Sequence, residues 1–258
     1  MTTNNQMTIK GFFHRDDVKS KFNELMGNRS AQFITSVLSV VNNNNYLKNA
    51  SPESVFSSAL MAATLDLPIN SNLGFAYLVP YGNACQFQLG WKGYVQLALR
   101  SGQFKTISAC PVYEGQLVEN NPLTGFKFDF SNKKSDVIIG FASYFSLING
   151  YEKTLYMSTE EINAHGKRFS KTFGNGVWKS DYNAMAQKTV LKLLLSRFAP
   201  MSIELQKAVV ADQAIIRDVE NMEVEYVDAG QDLSEAKALA SQNASARIEK
   251  LKSATNES

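Results

Sequence analysis

Apolar residues recur at three- and four-residue spacing from Phe12 to Leu65, give way to strand-like runs between Phe75 and Met157, and return to helical spacing after Ser158. A chain whose hydrophobic period changes twice must bury helix stripes and sheet faces in one core, which makes the fold class α+β. The helical stretches are Phe12 to Met26, Ala31 to Val41 and Pro52 to Leu65. Ser51 followed by Pro52 is a start signal, a capping hydroxyl and then a residue with no N–H to satisfy. Asn42 to Asn45 reads as a loop, because asparagine side chains compete for backbone hydrogen bonds.

In the middle section, Phe75 to Tyr81 and Ala84 to Leu89 flank Gly82-Asn83, two strands on a tight turn. Pro80 would remove a ladder donor, so its strand ends there or lies at an edge. Trp91 to Ser101 is a short amphipathic helix closed by Gly102. Phe104–Tyr113, Phe126–Phe130 and Val137–Ile148 are strand-like, and Asn149-Gly150 turns the last of these into Tyr151–Met157. Ser158 and Glu161 have capping-box spacing and open a helix. Lys167 to Trp178 reads as a loop. Ser180 or Asp181 caps a long helix stopped by Pro200, and Ser202 to Arg217 reads as one more helix.

Several chemistries are excluded on residue content. No G-x-x-x-x-G-K-[ST] phosphate loop is present. His14 and His165 are the only histidines and stand far apart, which leaves no zinc set and no nucleophile–histidine set. Asp16-Asp17 and Glu160-Glu161 lie at helix starts, where they complement the dipole. No catalytic constellation and no cofactor is expected. Two cysteines, Cys85 and Cys110, are too few for a disulfide framework and read as reduced thiols of a cytoplasmic protein. Apolar runs such as Val190 to Leu195 fall far short of a membrane span.

Charge is uneven along the chain. Residues 1–217 hold 22 Lys+Arg against 15 Asp+Glu, whereas residues 218–258 hold 4 against 9. A basic body followed by an acidic linker and one possible helix, Ser234 to Leu251, points to a polyanion as partner of the body. The basic residues concentrate in Lys167, Arg168, Lys171, Lys179, Lys188, Lys192 and Arg197, with Asp181 the one acid among them. Phe169, Phe173, Trp178 and Tyr182 are interleaved. Cations for phosphates beside aromatics for bases are what sequence-tolerant binding of single strands needs. Trp178, Tyr182 and Phe198 read equally well as core. At 100° per residue, Asp181, Lys188 and Lys192 share one helix face, opposite Val190, Leu193 and Leu194. Lys92, Gln96 and Arg100 form a second stripe, with Lys105 a weaker addition.

Three segments carry a resemblance. They are Ala76 to Gly102 with its Gly-Trp-Lys-Gly centre, Gly176 to Val190, and Ala199 to Ala208. Together they resemble the RecT/Redβ family of phage recombinases, in its RecT branch. The family's Trp-x-x-Asp…Met-Ala-x-Lys-Thr signature falls on Trp178, Asp181, Met185, Ala186, Lys188 and Thr189, and Trp91 stands where another aromatic is usual. The resemblance implies a small antiparallel sheet backed by a helix and flanked by further helices, assembling into rings or helical filaments on DNA. It also implies ATP-independent annealing of single-stranded DNA in a bacterial host. A strand neutralised along a row of subunits loses the repulsion that opposes a second strand, so the product is expected to stay bound as a protein–duplex intermediate. Residues 1–217 would be the annealing core. Residues 218–258 would dock a phage exonuclease or the host single-strand-binding protein. A passive single-strand coat is the competing reading; a magnesium nuclease finds little support in Asp129 and Asp136.

Overall fold

The computed structural model describes residues 7–226; the helix expected over Ser234 to Leu251 lies outside them. Helices come first: α1 (Ile9–Phe13), α2 (Asp16–Met26), α3 (Ser30–Asn42) and α4 (Pro52–Thr64). The single helix expected over Phe12 to Met26 is broken at His14 and Arg15. Arg15 is extended at the start of α2, whose first turn carries Asp16 and Asp17. The break folds Phe13 back onto Phe22, with ring centroids 5.9 Å apart. Phe12, Phe33 and Phe56 complete an aromatic cluster at the heart of the helical half. Ser51 caps α4 as expected, its side chain accepting from Ser54 N–H.

The strands form small antiparallel sheets. β1 (Ala76–Tyr81) and β2 (Ala84–Leu89) pair as a hairpin, with Pro80 opposite Cys85 in a two-stranded sheet where its missing donor leaves no partner unsatisfied on the far side. After α5 (Trp91–Arg100), β3 (Phe104–Tyr113), β6 (Ile138–Leu147) and β7 (Glu152–Ser158) form the three-stranded sheet, in order β3-β6-β7. The hairpin of β4 (Leu117–Asn121) and β5 (Gly125–Phe128) is inserted between β3 and β6. β4 had no counterpart in the sequence reading, because Leu117-Val-Glu-Asn-Asn alternates too weakly to mark a strand.

Helix returns with α6 (Thr159–Phe169), opened by the full Ser158–Glu161 capping box. The stretch read as a loop is half helical: α6 runs to Phe169 and α7 (Gly176–Ser180) follows, while residues 170–175 form the loop between them. α8 (Tyr182–Phe198) then packs on the three-stranded sheet and on α5. The helix expected from Ser202 to Arg217 stops early as α9 (Ile203–Ala211). The chain turns through Gln213, which has a positive φ of 66°, and β8 (Ile215–Asp218) pairs with β9 (Glu223–Glu225). Gln213 N–H donates to Phe87 O, and Phe87 N–H donates to Ala214 O, so backbone pairing with β2 ends the helix.

The β8–β9 hairpin also relocates the acidic charge. Asp218, Glu220, Glu223 and Glu225 lie within it, so residues 227–258 carry five acids against four bases. Glu220 accepts from Lys21 of α2 at 2.7 Å, and Glu225 pairs with Arg217. The expected division at 217/218 thus falls inside a hairpin held to the body. Among the described residues no helix is long and apolar enough to cross a membrane.

Candidate nucleic-acid interface

α8 begins where Asp181 accepts from Ala184 N–H at 3.1 Å, which gives this aspartate a capping role. Val190, Leu191, Leu194 and Leu195 are buried, and the Ser143 hydroxyl donates to Val190 O from β6. The polar face expected for Lys188 and Lys192 is not a solvated one. Lys188 is only 5% exposed. Its ammonium donates to Asp212 Oδ1 at 2.7 Å, and that of Lys192 donates to Asp212 Oδ2 at 2.8 Å.

Asp212 is the residue that sequence reading missed. Its side chain is fully buried at the end of α9 and accepts two further hydrogen bonds, from Leu89 N–H at 2.9 Å and Tyr94 Oη–H at 3.0 Å. Burial pushes this carboxyl up, but the two ammonium groups outweigh it and hold the carboxyl well below the usual carboxylate range. Burial, and then the Asp212 charge, push the Tyr94 hydroxyl well above its ordinary value. One signal was available in the sequence. An acid just after the apolar helix Ile203–Ala211 sits at the negative end of the dipole, an unfavourable place unless cations meet it.

Two cavities flank Lys188. The first, about 240 Å³, is lined by Tyr77 and Val79 of β1, by Leu89 to Trp91, and by Asp181, Met185 and Lys188. The second, about 220 Å³, is lined by His165, Phe169, Trp178, Lys188, Lys192 and Gln213 among others. Lys188 and Met185 line both, so the two cavities adjoin along α8 as a two-part groove, with these two side chains between them. Phe169 lies against His165, with ring centroids 4.4 Å apart, and is half-buried. Trp178 is buried; Phe173 meets it edge-on at 5.1 Å and Tyr182 lies at 5.9 Å. Phe173 is thus packed rather than presented as a free stacking platform, and Trp178 takes the core position that the sequence left open beside stacking. The Trp178 Nε1–H finds no acceptor among the described residues.

The remaining predicted residues divide by position. Lys167, Arg168, Lys171 and Lys179 are exposed on α6, α7 and the turn between them, beside the second cavity's Phe169 and Trp178. Lys92 is exposed beside Trp91 of the first cavity, its Nζ 5.9 Å from that ring. Gln96 and Arg100 leave the stripe and line a separate cleft of about 400 Å³ with Arg29 and Asp66. There Arg100 donates to Leu65 O at 2.7 Å and Asp66 O at 2.8 Å, capping the carbonyl end of α4. Lys105 and Arg197 are exposed but line neither groove cavity.

Comparison with known proteins agrees with the resemblance. The family model described as RecT family matches residues 31–226. The chain is 50% identical over 207 residues to "Uncharacterized protein YqaK" of Bacillus subtilis (strain 168), an overlap covering 80% of this chain and 72% of that one. It is 31% identical over 186 residues to "Protein RecT" of Escherichia coli (strain K12), an overlap covering 65% of each chain. The chain therefore spans about two thirds to three quarters of the length of these relatives. The match to the family model runs from α3 through β9 and includes every side chain that lines the groove: this chain belongs to the RecT family.

Proposed function

We propose that this protein binds single-stranded DNA in the groove across α8 and anneals the bound strand to its complement without hydrolysing a nucleotide. The observation that carries this reading is the groove itself, in which the half-buried Trp91 and Phe169 lie on either side of Lys188, with Lys192 on one wall. Lys92, Lys167, Arg168, Lys171 and Lys179 supply exposed cations around it. Phosphate contacts hold a strand without reading its sequence, and base stacking is similarly tolerant, so sequence fidelity is left to base pairing. A strand whose phosphates are neutralised along a row of subunits also repels a second strand less. Membership of the RecT family supports a recombination role, and on this reading the protein works as an assembly of copies beside an exonuclease in a bacterial cell.

The test is to add complementary oligonucleotides in sequence, without ATP, and to measure pairing and nuclease protection. Pairing should accelerate, and the strands added in sequence should be protected better than the same duplex supplied ready-made. Equal, weak protection of both would reduce the protein to a passive coat.

A further inference from the structure

We infer that Asp212 is a positioning residue of the groove: its carboxylate fixes the Lys188 and Lys192 ammonium groups on the groove wall, in the orientation in which a DNA phosphate meets them. This inference rests on the single-strand binding proposed above. Each carboxylate oxygen takes two donors, Lys188 and Leu89 N–H on Oδ1, and Lys192 and Tyr94 on Oδ2. A carboxylate has about four acceptor positions, so the group is saturated and has one orientation. Two ammoniums and one carboxylate leave the cluster with a net positive charge beside both cavities. Lys192 spends one N–H on Asp212, and its side chain remains 26% exposed in the second cavity.

The backbone is built to hold this carboxylate. Gln213 follows it in the left-handed region, which a non-glycine residue adopts at a cost and keeps only when its surroundings demand it. Those surroundings are the Gln213 N–H bond to Phe87 O at 3.0 Å and the Phe87 N–H bond to Ala214 O at 3.2 Å. A buried ion pair with a purely structural role can often be replaced by apolar packing. Here both cations stand on the wall of a cavity open to a ligand.

The charged and titratable groups that face the cluster are Lys188 and Lys192 on α8, Tyr94 on α5 and Tyr226 beyond β9. Asp181 and Tyr77 line the first cavity with Lys188, and His165 lines the second. Without Asp212 the buried Lys188 ammonium has lost its counter-charge, and desolvation favours its neutral form.

The experiment is binding of labelled oligo(dT), followed by fluorescence anisotropy at mildly acidic and mildly alkaline pH, for the unaltered protein, Asp212→Asn and Tyr94→Phe. Tyr94→Phe removes one hydrogen bond to the same carboxylate and keeps its charge, which makes it the control for a packing role. The unaltered protein and Tyr94→Phe should respond alike to pH, whereas Asp212→Asn should lose about tenfold more affinity on the alkaline side, the worth of one charged hydrogen bond. Any contribution of His165 is common to all three proteins and cancels. An identical pH response in all three overturns the inference while leaving single-strand binding intact. Failure of the unaltered protein to bind oligo(dT) at all overturns the proposed function, and this inference with it. Should Asp212→Asn not fold, the side-chain ammonium resonances of the unaltered protein decide: those of Lys188 and Lys192 should shift on saturation with oligo(dT), and unmoved signals in the complex overturn the inference.

Discussion

A Cβ on Gly166 would lie 2.3 Å from Cδ2 of Phe173, so the phenylalanine ring occupies the space that any other side chain at position 166 would fill. The contact brings the turn after α6 back against the helix, and Phe173 in turn meets Trp178 edge-on at 5.1 Å. Gly166→Ala therefore forces the ring away from Trp178. Overpacking of this kind costs about 1–3 kcal/mol, readable as a lower urea midpoint at unchanged slope. Adding Phe173→Leu should recover part of the loss; no recovery would show that the ring is not the obstacle.

Two truncations should differ sharply. Ending the chain after Tyr226 keeps the β8–β9 hairpin, the Lys21–Glu220 pair and the hydrogen bond from the Tyr226 hydroxyl to Val210 O. Ending it after Arg217 removes all three and strips β8 of its partner. Thermal melts should place the first truncation close to the full chain and the second several degrees lower. Annealing by the first should persist, and its loss would place part of the annealing activity in residues 227–258.

Lys188 and Lys192 should separate on replacement. Lys188→Met removes the more buried partner of Asp212, and breaking a buried pair from one side costs about 3–5 kcal/mol, so loss of stability should dominate. Lys192→Gln leaves Lys188 on the carboxylate and should mainly reduce DNA affinity. If Lys192 meets one phosphate, the slope of log affinity against log salt falls by about 0.7. An unchanged slope in a folded variant would confine Lys192 to the interior network.

Asp212 also sets the response to acid. Its carboxyl is held below the ordinary range in the folded state, because the two ammonium groups outweigh burial. A depressed carboxyl contributes stability that is present above the unfolded value of about 3.9 and is lost as pH falls through the folded value. Urea unfolding should show no pH dependence from this group between about pH 7 and pH 5, where its contribution is fully present, and a growing loss below about pH 4. In Asp212→Asn that acid-side component should be missing; an acid limb of unchanged depth would assign it to other carboxylates.

The parts of this fold written in local signals were legible. Ser51-Pro52, the Ser158–Glu161 box, Gly82-Asn83 and Asn149-Gly150 each act within a few residues, and each marks a boundary or turn where expected. The failures lie where distant residues decide. α9 ends at Ala211 because β2, more than a hundred residues earlier, pairs with the backbone beyond it. The helical period placed Lys188 and Lys192 together correctly, yet could not see the carboxylate 24 and 20 residues onward that pairs with both. For Trp178 the sequence left core and stacking equally open, and packing against Phe173 and Tyr182 places it in the core.

The same helix, α8, supplies the groove wall and the packing centre of the three-stranded sheet: Met185 and Lys188 line the groove while Val190, Leu191, Leu194 and Leu195 are buried. Segments of that kind exchange their amide hydrogens only when the whole molecule opens. On the proposed function the groove wall is therefore set before any strand arrives, and the ordering that binding would demand falls on the DNA and on the exposed lysine side chains around it. Amides from Met185 to Leu195 should rank with the slowest-exchanging in the protein, with or without DNA, while those between Ser170 and Gly176 exchange early and slow only in the complex.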